Sequence, residues 1–168
     1  MKKLVCLILF CAFSLPSFAA VIIGKIDIQQ IMATVNQGKK ANDKLQAQFK
    51  KWEDELKKEE GELKKEKDNF DKQKLLKDQK WIQTKQEELQ QKFVAIQQKT
   101  QNYQMQIQKM EMDEKKPILE KIRAIVSEIS EKEKVDLTVE VSASPILYAK
   151  DVMDLTTKVI EYYNSKHK

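Results

Sequence analysis

The sequence is nearly free of the residues that build covalent cross-links, metal sites and tight phosphate-binding turns. Among its 168 residues are two cysteines, Cys6 and Cys11, one histidine, His167, three glycines and three prolines. Because both cysteines lie near the N-terminus and His167 is the penultimate residue, the rest of the chain has no disulfide framework, no Cys metal site and no cysteine nucleophile. No G-x-x-x-x-G-K-[ST] loop occurs, which excludes nucleotide binding through such a loop.

Charge is abundant, but it follows no catalytic or nucleic-acid-binding pattern. The chain has 31 Lys and Arg residues against 26 acidic residues, and the two signs alternate as on solvated helix surfaces. General acid–base catalysis would have to rest on clustered carboxylates, and the alternation spreads them out. We therefore predict that the protein is not an enzyme, uses no cofactor or metal, and binds no nucleic acid.

The first 19 residues have the pattern of a secretory signal peptide. Lys2 and Lys3 precede a short apolar run that ends in small residues at Ala19. The run is shorter than the roughly 20 apolar residues that span a bilayer comfortably. We expect cleavage near Ala19, which would remove both cysteines and leave a secreted, soluble mature chain.

Residues 38–116, which we call the limb, contain no proline and read as long helices with one narrow apolar stripe. Apolar residues recur at alternating intervals of four and three residues, the spacing of a coiled coil. Two matched seams flank a composition break at 71–78 and predict an antiparallel coiled-coil hairpin. The alternative is one long helix that dimerises in parallel. The first seam is Leu45, Phe49, Trp52, Leu56, Glu59, Leu63, Glu66 and Phe70; the second is Ile82, Gln86, Leu89, Phe93, Ile96, Thr100, Tyr103, Ile107 and Met110.

The flanking residues, 20–37 and 117–168, read as a small β-rich body. A β-branched run at 21–26 predicts a strand, and Asp27 predicts the N-cap of a short helix at 28–35, followed by a loose joint at 36–38. Pro117 either kinks the second arm or starts a new helix. The remaining predictions are an apolar helical stripe of Ile118, Leu119, Ile122, Ile125, Val126 and Ile129; strands at 135–141 and 146–148; and a helix capped by Asp151 with an apolar face of Val152, Leu155, Val159, Ile160 and Tyr163.

Three short strands with an apolar face are marginal on their own and leave open edges. A filled barrel needs roughly eight strands. The simplest closed solution is a homotrimer in which each chain contributes three strands. The predicted fold is therefore α+β and mostly α, with a trimerisation body that shares a β-barrel and three limbs that leave it as tentacles.

The order of these elements resembles the Skp/OmpH family of periplasmic chaperones. The resemblance covers the whole mature chain and is most specific in the body, at 23–32, 135–139, 146–149 and 151–156 together with Val159, Ile160 and Asn164. It implies a trimer whose three tentacles enclose a cavity for unfolded outer-membrane proteins, without use of nucleotide. Some members are credited with a lipopolysaccharide site, whose residues we do not match in this chain.

The resemblance directs attention to two groups of limb residues. Val94, Met105 and Met112 recur at intervals of 11 and 7 residues and fall on one side of the second arm, away from its seam. Flexible thioethers suit promiscuous contact, so we predict that this stripe binds clients. The alternative is that these are isolated exposed apolar residues without a role.

The second group is basic and lies where the two arms meet. Residues 64–85 hold eight lysines against four acidic residues, and Lys72, Lys74, Lys77 and Lys80 crowd the turn. Such a tip attracts acidic clients, anionic lipid or lipopolysaccharide by a salt-screened interaction, unless it is simply a solvated turn. Leu75 and Leu76 at the same place either close the hairpin locally or form a contact surface. A structural envelope protein, with the limb as a tether and the tip as its binding end, is the alternative function.

Overall fold

The computed structural model describes residues 21–142 and 146–167. The predicted signal peptide, with Cys6, Cys11 and Ala19, lies outside the described residues. The elements in order are β1 Ile23–Ile26, α1 Ile28–Thr34, α2 Asn36–Gln73, a 3-10 turn Lys74–Leu76, α3 Gln79–Lys132, β2 Leu137–Glu140, β3 Val152–Asp154 and α4 Thr156–Lys166. The chain is mostly helical, as the composition predicts.

Helices α2 and α3 form an antiparallel pair joined by the 3-10 turn. Contacts near the body join Lys44 to Glu114, mid-limb contacts join Glu66 to Lys92, and Phe70 stacks on Trp81 at the tip. This order of contacts is the hairpin that the two seams predict. The Asp78 carboxylate accepts from the Trp81 N–H at 2.8 Å and caps the start of α3.

The second arm enters the body without a break. Helix α3 is 54 residues long and contains Pro117 in its interior, so no new helix begins there. Pro117 is exposed, so its ring lies on the solvent side of the helix. The apolar stripe that follows is buried at Ile118, Ile122, Ile125 and Ile129, as its spacing predicts.

The joint at the root of the first arm differs from the prediction of a loose segment at 36–38. Helix α2 already begins at Asn36, and the break is the single extended residue Val35 (φ −64°, ψ 146°). The Asn164 side-chain oxygen accepts from the Asn36 N–H at 2.9 Å. The apolar Val35 cannot cap α2 with its side chain, so a residue of α4 takes one of the free N–H groups of the first turn.

The three strands form a parallel sheet in the order β2-β1-β3. The third strand is Val152–Asp154, and the prediction of a strand at 146–148 is wrong, because Val152 pairs with Ile23 on the free edge of β1. The prediction that Asp151 caps the last helix is also wrong. Instead Asp154 accepts from the Thr156 N–H at 3.0 Å where α4 begins. The Thr156 hydroxyl, and after it this N–H, lowers the pKa of Asp154 by hydrogen bonding to its carboxylate.

One hydrophobic core ties α1, α3, α4 and the sheet together. Tyr163, Ile31, Ile122, Leu155, Val35 and Val159 are its largest fully buried side chains. Of the predicted apolar face of the last helix, Leu155, Val159 and Tyr163 lie in the core and Ile160 packs against it. The prediction is wrong for Val152, which lies in β3 because α4 begins only at Thr156.

The opposite face of the sheet is left open. In register, Ile23, Leu137 and Val152 stand side by side across the three strands, and Leu137 is 52% exposed. Leu137 therefore lies on the outer side of β2, whereas Thr138 lies on the inner side, where its hydroxyl is 2.7 Å from that of Ser130. Within the described residues this apolar row is thus only partly covered, and the Lys25–Asp154 ion pair lies beside it on the same face.

Candidate functional site

The predicted client-binding stripe lies on the exposed surface of α3. Val94 is 37% exposed, Met105 is 62% exposed and Met112 is 65% exposed. At 3.6 residues per turn the three positions fall within about 20° of one another. The stripe is therefore a real apolar line along the limb, about 27 Å from end to end at about 1.5 Å per residue.

Two aromatic residues that the heptad spacing places in the seam are also exposed. Phe49 is 58% exposed and Phe93 is 47% exposed, so their predicted seam positions are wrong. The seam also contains the charged residues Glu59 and Glu66, which cannot provide an apolar surface for a facing ring. Glu66, which pairs with Lys92 next to Phe93, is the sequence signal that the seam is interrupted at Phe93.

Phe93 borders a groove of about 650 Å³ between the two arms. Leu63, Ile96 and Thr100 line it together with Phe93, and Lys64 and Lys67 stand on the α2 side. Gln97, Gln101 and Gln104 form the α3 side. An apolar base with amide and ammonium groups around it can take an apolar side chain and hydrogen-bond its backbone.

A polar cluster holds the arms together on the body side of this groove. Lys99 donates to Glu55 and Glu59 across the interface, each at 2.5 Å, and the Tyr103 hydroxyl donates to Glu55 at 2.9 Å. The Tyr103 ring stacks on Trp52 with centroids 4.6 Å apart. The bond from Lys99 lowers the pKa of Glu55, and the two carboxylates raise that of Lys99. Glu55 and Lys99 therefore stay charged at neutral pH.

The basic tip is open on all sides. Lys72, Lys74, Lys77 and Lys80 are exposed, and Leu75 and Leu76 are 85% and 86% exposed. The leucines therefore do not close the hairpin, and a contact surface at this place stays a prediction. Lys74 pairs with Asp71 at 2.7 Å, whereas Lys72, Lys77 and Lys80 form no ion pair within the described part of the chain.

The described ranges 21–142 and 146–167 hold no group of three or more His, Cys, Asp or Glu side chains arranged to bind a metal ion. None of their helices combines the length and the apolar character needed to cross a membrane.

Comparison with known proteins finds a matching family model and similar solved structures. The family model described as outer membrane protein (OmpH-like) matches residues 22–163. The crystal structure of a candidate outer membrane chaperone (OmpH-like) from Caulobacter crescentus CB15 is similar with a TM-score of 0.75 and 19% identity, over 88% of this chain and 86% of that chain. At that identity the structural likeness shows the fold alone. The search of curated proteins gives no match.

Proposed function

The chain belongs to the OmpH-like family, a family of chaperones and not of enzymes, and we propose that it is an ATP-independent periplasmic holdase. In this proposal it binds unfolded outer-membrane β-barrel proteins between its limbs and prevents their aggregation. It reaches the periplasm through a signal peptide cleaved near Ala19. N-terminal sequencing of the exported protein tests this cleavage position. A mature chain that begins elsewhere than about Ala20 would contradict it.

The observation that carries the proposal is a long two-helix limb that keeps apolar side chains in water. Met105 and Met112 are each more than 60% exposed, and Phe93 opens into a groove beside them. Many weak contacts with flexible side chains let a bound chain remain mobile and leave again. A client therefore needs no nucleotide-driven step to be released.

We propose that three chains assemble through the open sheet face. Among the described residues the row of Ile23, Leu137 and Val152 is only partly covered, and the strands are only three or four residues long. Three copies supply nine strands, close to the roughly eight that give a filled barrel. Three limbs would then leave one body. Native mass measurement of the mature protein tests this assembly, and the mass of a monomer would refute it.

The holdase proposal is tested by light scattering. A urea-unfolded outer-membrane β-barrel protein is diluted into buffer with the mature protein and without nucleotide. We expect aggregation to be suppressed at about one trimer per client. Undiminished aggregation beside an intact trimer would overturn the holdase and favour a structural tether.

The stripe is tested by replacing Val94, Met105 and Met112 with Gln together. We expect weaker holding, with the helical content and the assembly unchanged because all three side chains are exposed. Replacing Leu75 and Leu76 with Gln is the matched control, since it removes two exposed apolar side chains elsewhere on the limb. Equal holding by the stripe variant and the parent would remove the stripe from the proposal.

A further inference from the structure

Two leucines in the turn at the end of the limb do not pack against the rest of the hairpin. Leu75 and Leu76 lie in the 3-10 turn Lys74–Leu76, and they are among the most exposed apolar side chains of the described residues. Both lie far from the hydrophobic core of the body, and both are too exposed to stabilise the pair of helices. Their contact with water is unfavourable, and both side chains are available to a surface outside the chain.

The surroundings of these leucines are basic, and two of the lysines lie near aromatic rings. The Lys74 ammonium lies 5.8 Å from the centre of the Phe70 ring, and the Lys77 ammonium lies 5.7 Å from the centre of the Trp81 ring. The two acidic side chains nearest the turn are already engaged, Asp71 with Lys74 and Asp78 with the start of α3. Four lysines against two aspartates in residues 71–80 leave the tip with a net charge of +2 around an apolar apex.

We propose that this tip inserts Leu75 and Leu76 into the surface of an anionic lipid bilayer, while the surrounding lysines bind the phosphate-bearing headgroups. The inference concerns a different end of the limb from the client stripe and does not depend on the holdase proposal. The proposal goes beyond electrostatic attraction, because it places the side chains of the two leucines below the lipid headgroups.

The geometry favours a bilayer over an acidic polypeptide. An exposed apex has no walls to hold a peptide, whereas a convex apolar point surrounded by lysines fits a planar interface. Binding of amphipathic segments to membranes scales with the buried apolar area plus the attraction to anionic lipid. Lysine side chains can keep their ammonium groups among the headgroups while their stems follow the apolar residues inward.

The expected strength follows from the two contributions. Each lysine near an anionic surface contributes about fivefold in affinity at moderate salt. Each leucine taken from water contributes about tenfold or more. Changing both leucines to Gln should therefore weaken vesicle binding about 100-fold, and changing all four lysines to Gln should weaken it several hundredfold.

Trp81 provides a reporter beside the tip. The chain has two tryptophans, and the other, Trp52, stacks on Tyr103 in the middle of the limb. In the full mature protein carrying Trp52→Phe, which keeps an aromatic ring in that stack, all tryptophan fluorescence comes from Trp81. The probe is a set of vesicles of phosphatidylcholine alone or with phosphatidylglycerol, with and without brominated acyl chains.

We expect a blue shift of Trp81 and its quenching by brominated lipid with the anionic vesicles only. Leu75→Gln with Leu76→Gln should abolish the quenching, whereas the stripe variant with Gln at 94, 105 and 112 should retain it. Binding should weaken between about 0.01 M and about 1 M salt, as the Debye length falls from about 30 Å to about 3 Å.

Several results would overturn the insertion. Unchanged quenching in the double leucine variant would show a purely electrostatic contact. Equal binding to neutral vesicles would remove the role of the lysines. Displacement by soluble polyglutamate, with no quenching by brominated lipid, would identify an acidic polypeptide as the partner. Because the leucine variant keeps the stripe, its holding activity separates failure of this inference from failure of the holdase.

Discussion

Replacing each of two glycines of α2 by alanine should change stability in opposite directions. Gly38 and Gly61 lie in the same helix, so both substitutions gain about 1 kcal/mol from the higher helix propensity of alanine. An added Cβ at Gly61 meets no heavy atom within 4 Å. Gly61→Ala should therefore stabilise the helix by about that amount.

At Gly38 the same Cβ would lie 1.8 Å from the Met32 carbonyl oxygen and 2.9 Å from its carbon. Real Cβ atoms essentially never approach a heavy atom more closely than 3.0 Å, so the first turn of α2 would have to move by roughly 1.2 Å. Both partners are backbone, and neither can rotate away. Overpacking typically costs about 1–3 kcal/mol and sometimes more, and at this contact we expect the upper end. The net effect of Gly38→Ala should be a loss of about 2 kcal/mol.

Thermal unfolding followed by helical circular dichroism measures both changes. For a chain of this size 1 kcal/mol corresponds to about 2–4 °C. We expect Gly61→Ala to raise the midpoint by that amount and Gly38→Ala to lower it by about twice as much. Equal midpoints for the two variants would refute the close crossing of α1 and α2 at Met32.

Two other predictions concern the attachment of α4 to the body. Glu128 accepts from Lys166, Tyr162 and Lys132, and these bonds, with Lys166 first, lower its pKa from 4.5 to about 2. The contribution of Glu128 to stability is therefore present above pH 4.5 and lost as the pH falls toward about 2. In Glu128→Gln the thermal unfolding midpoint should depend less on pH over that range. An equally steep decline of the midpoint in the variant would contradict this role of Glu128. The buried Tyr163 hydroxyl donates to the Gln37 side chain at 2.6 Å, so Tyr163→Phe should lower the free energy of unfolding by about 1 kcal/mol in urea, and an unchanged urea midpoint would show that this bond adds nothing.

The features that sequence predicts correctly depend on neighbours along the chain. Asp27 caps α1 by accepting from the Gln30 N–H at 2.8 Å, three residues away. The long helices follow from heptad spacing and helix propensity, and the turn at Lys74–Leu76 falls inside the predicted break. Each of these interactions is decided within a few residues, where a single sequence holds the necessary information.

The incorrect predictions concern features that depend on contacts between residues far apart in the sequence. Residues 146–148 have the composition of a strand, yet the free edge of β1 is taken by Val152, whose partner Ile23 is 129 positions away. The Leu155 N–H donates to the Lys25 carbonyl at 2.9 Å, which holds this segment extended up to the start of α4. Local β propensity cannot show which segment pairs with a given strand edge in the folded chain.

The positions of Phe49 and Phe93 connect stability with function. A phenylalanine left in water forgoes roughly 1.5–3 kcal/mol that its burial would contribute. The limb remains paired nevertheless, because Trp52 stacks on Tyr103 and Phe70 stacks on Trp81 between the arms. Ion pairs from Lys99 to Glu55 and Glu59 add to these contacts, and none of them covers Phe49 or Phe93. An apolar side chain that contributes little to folding has its burial free energy still available for binding, and the limb keeps several such residues exposed along its length.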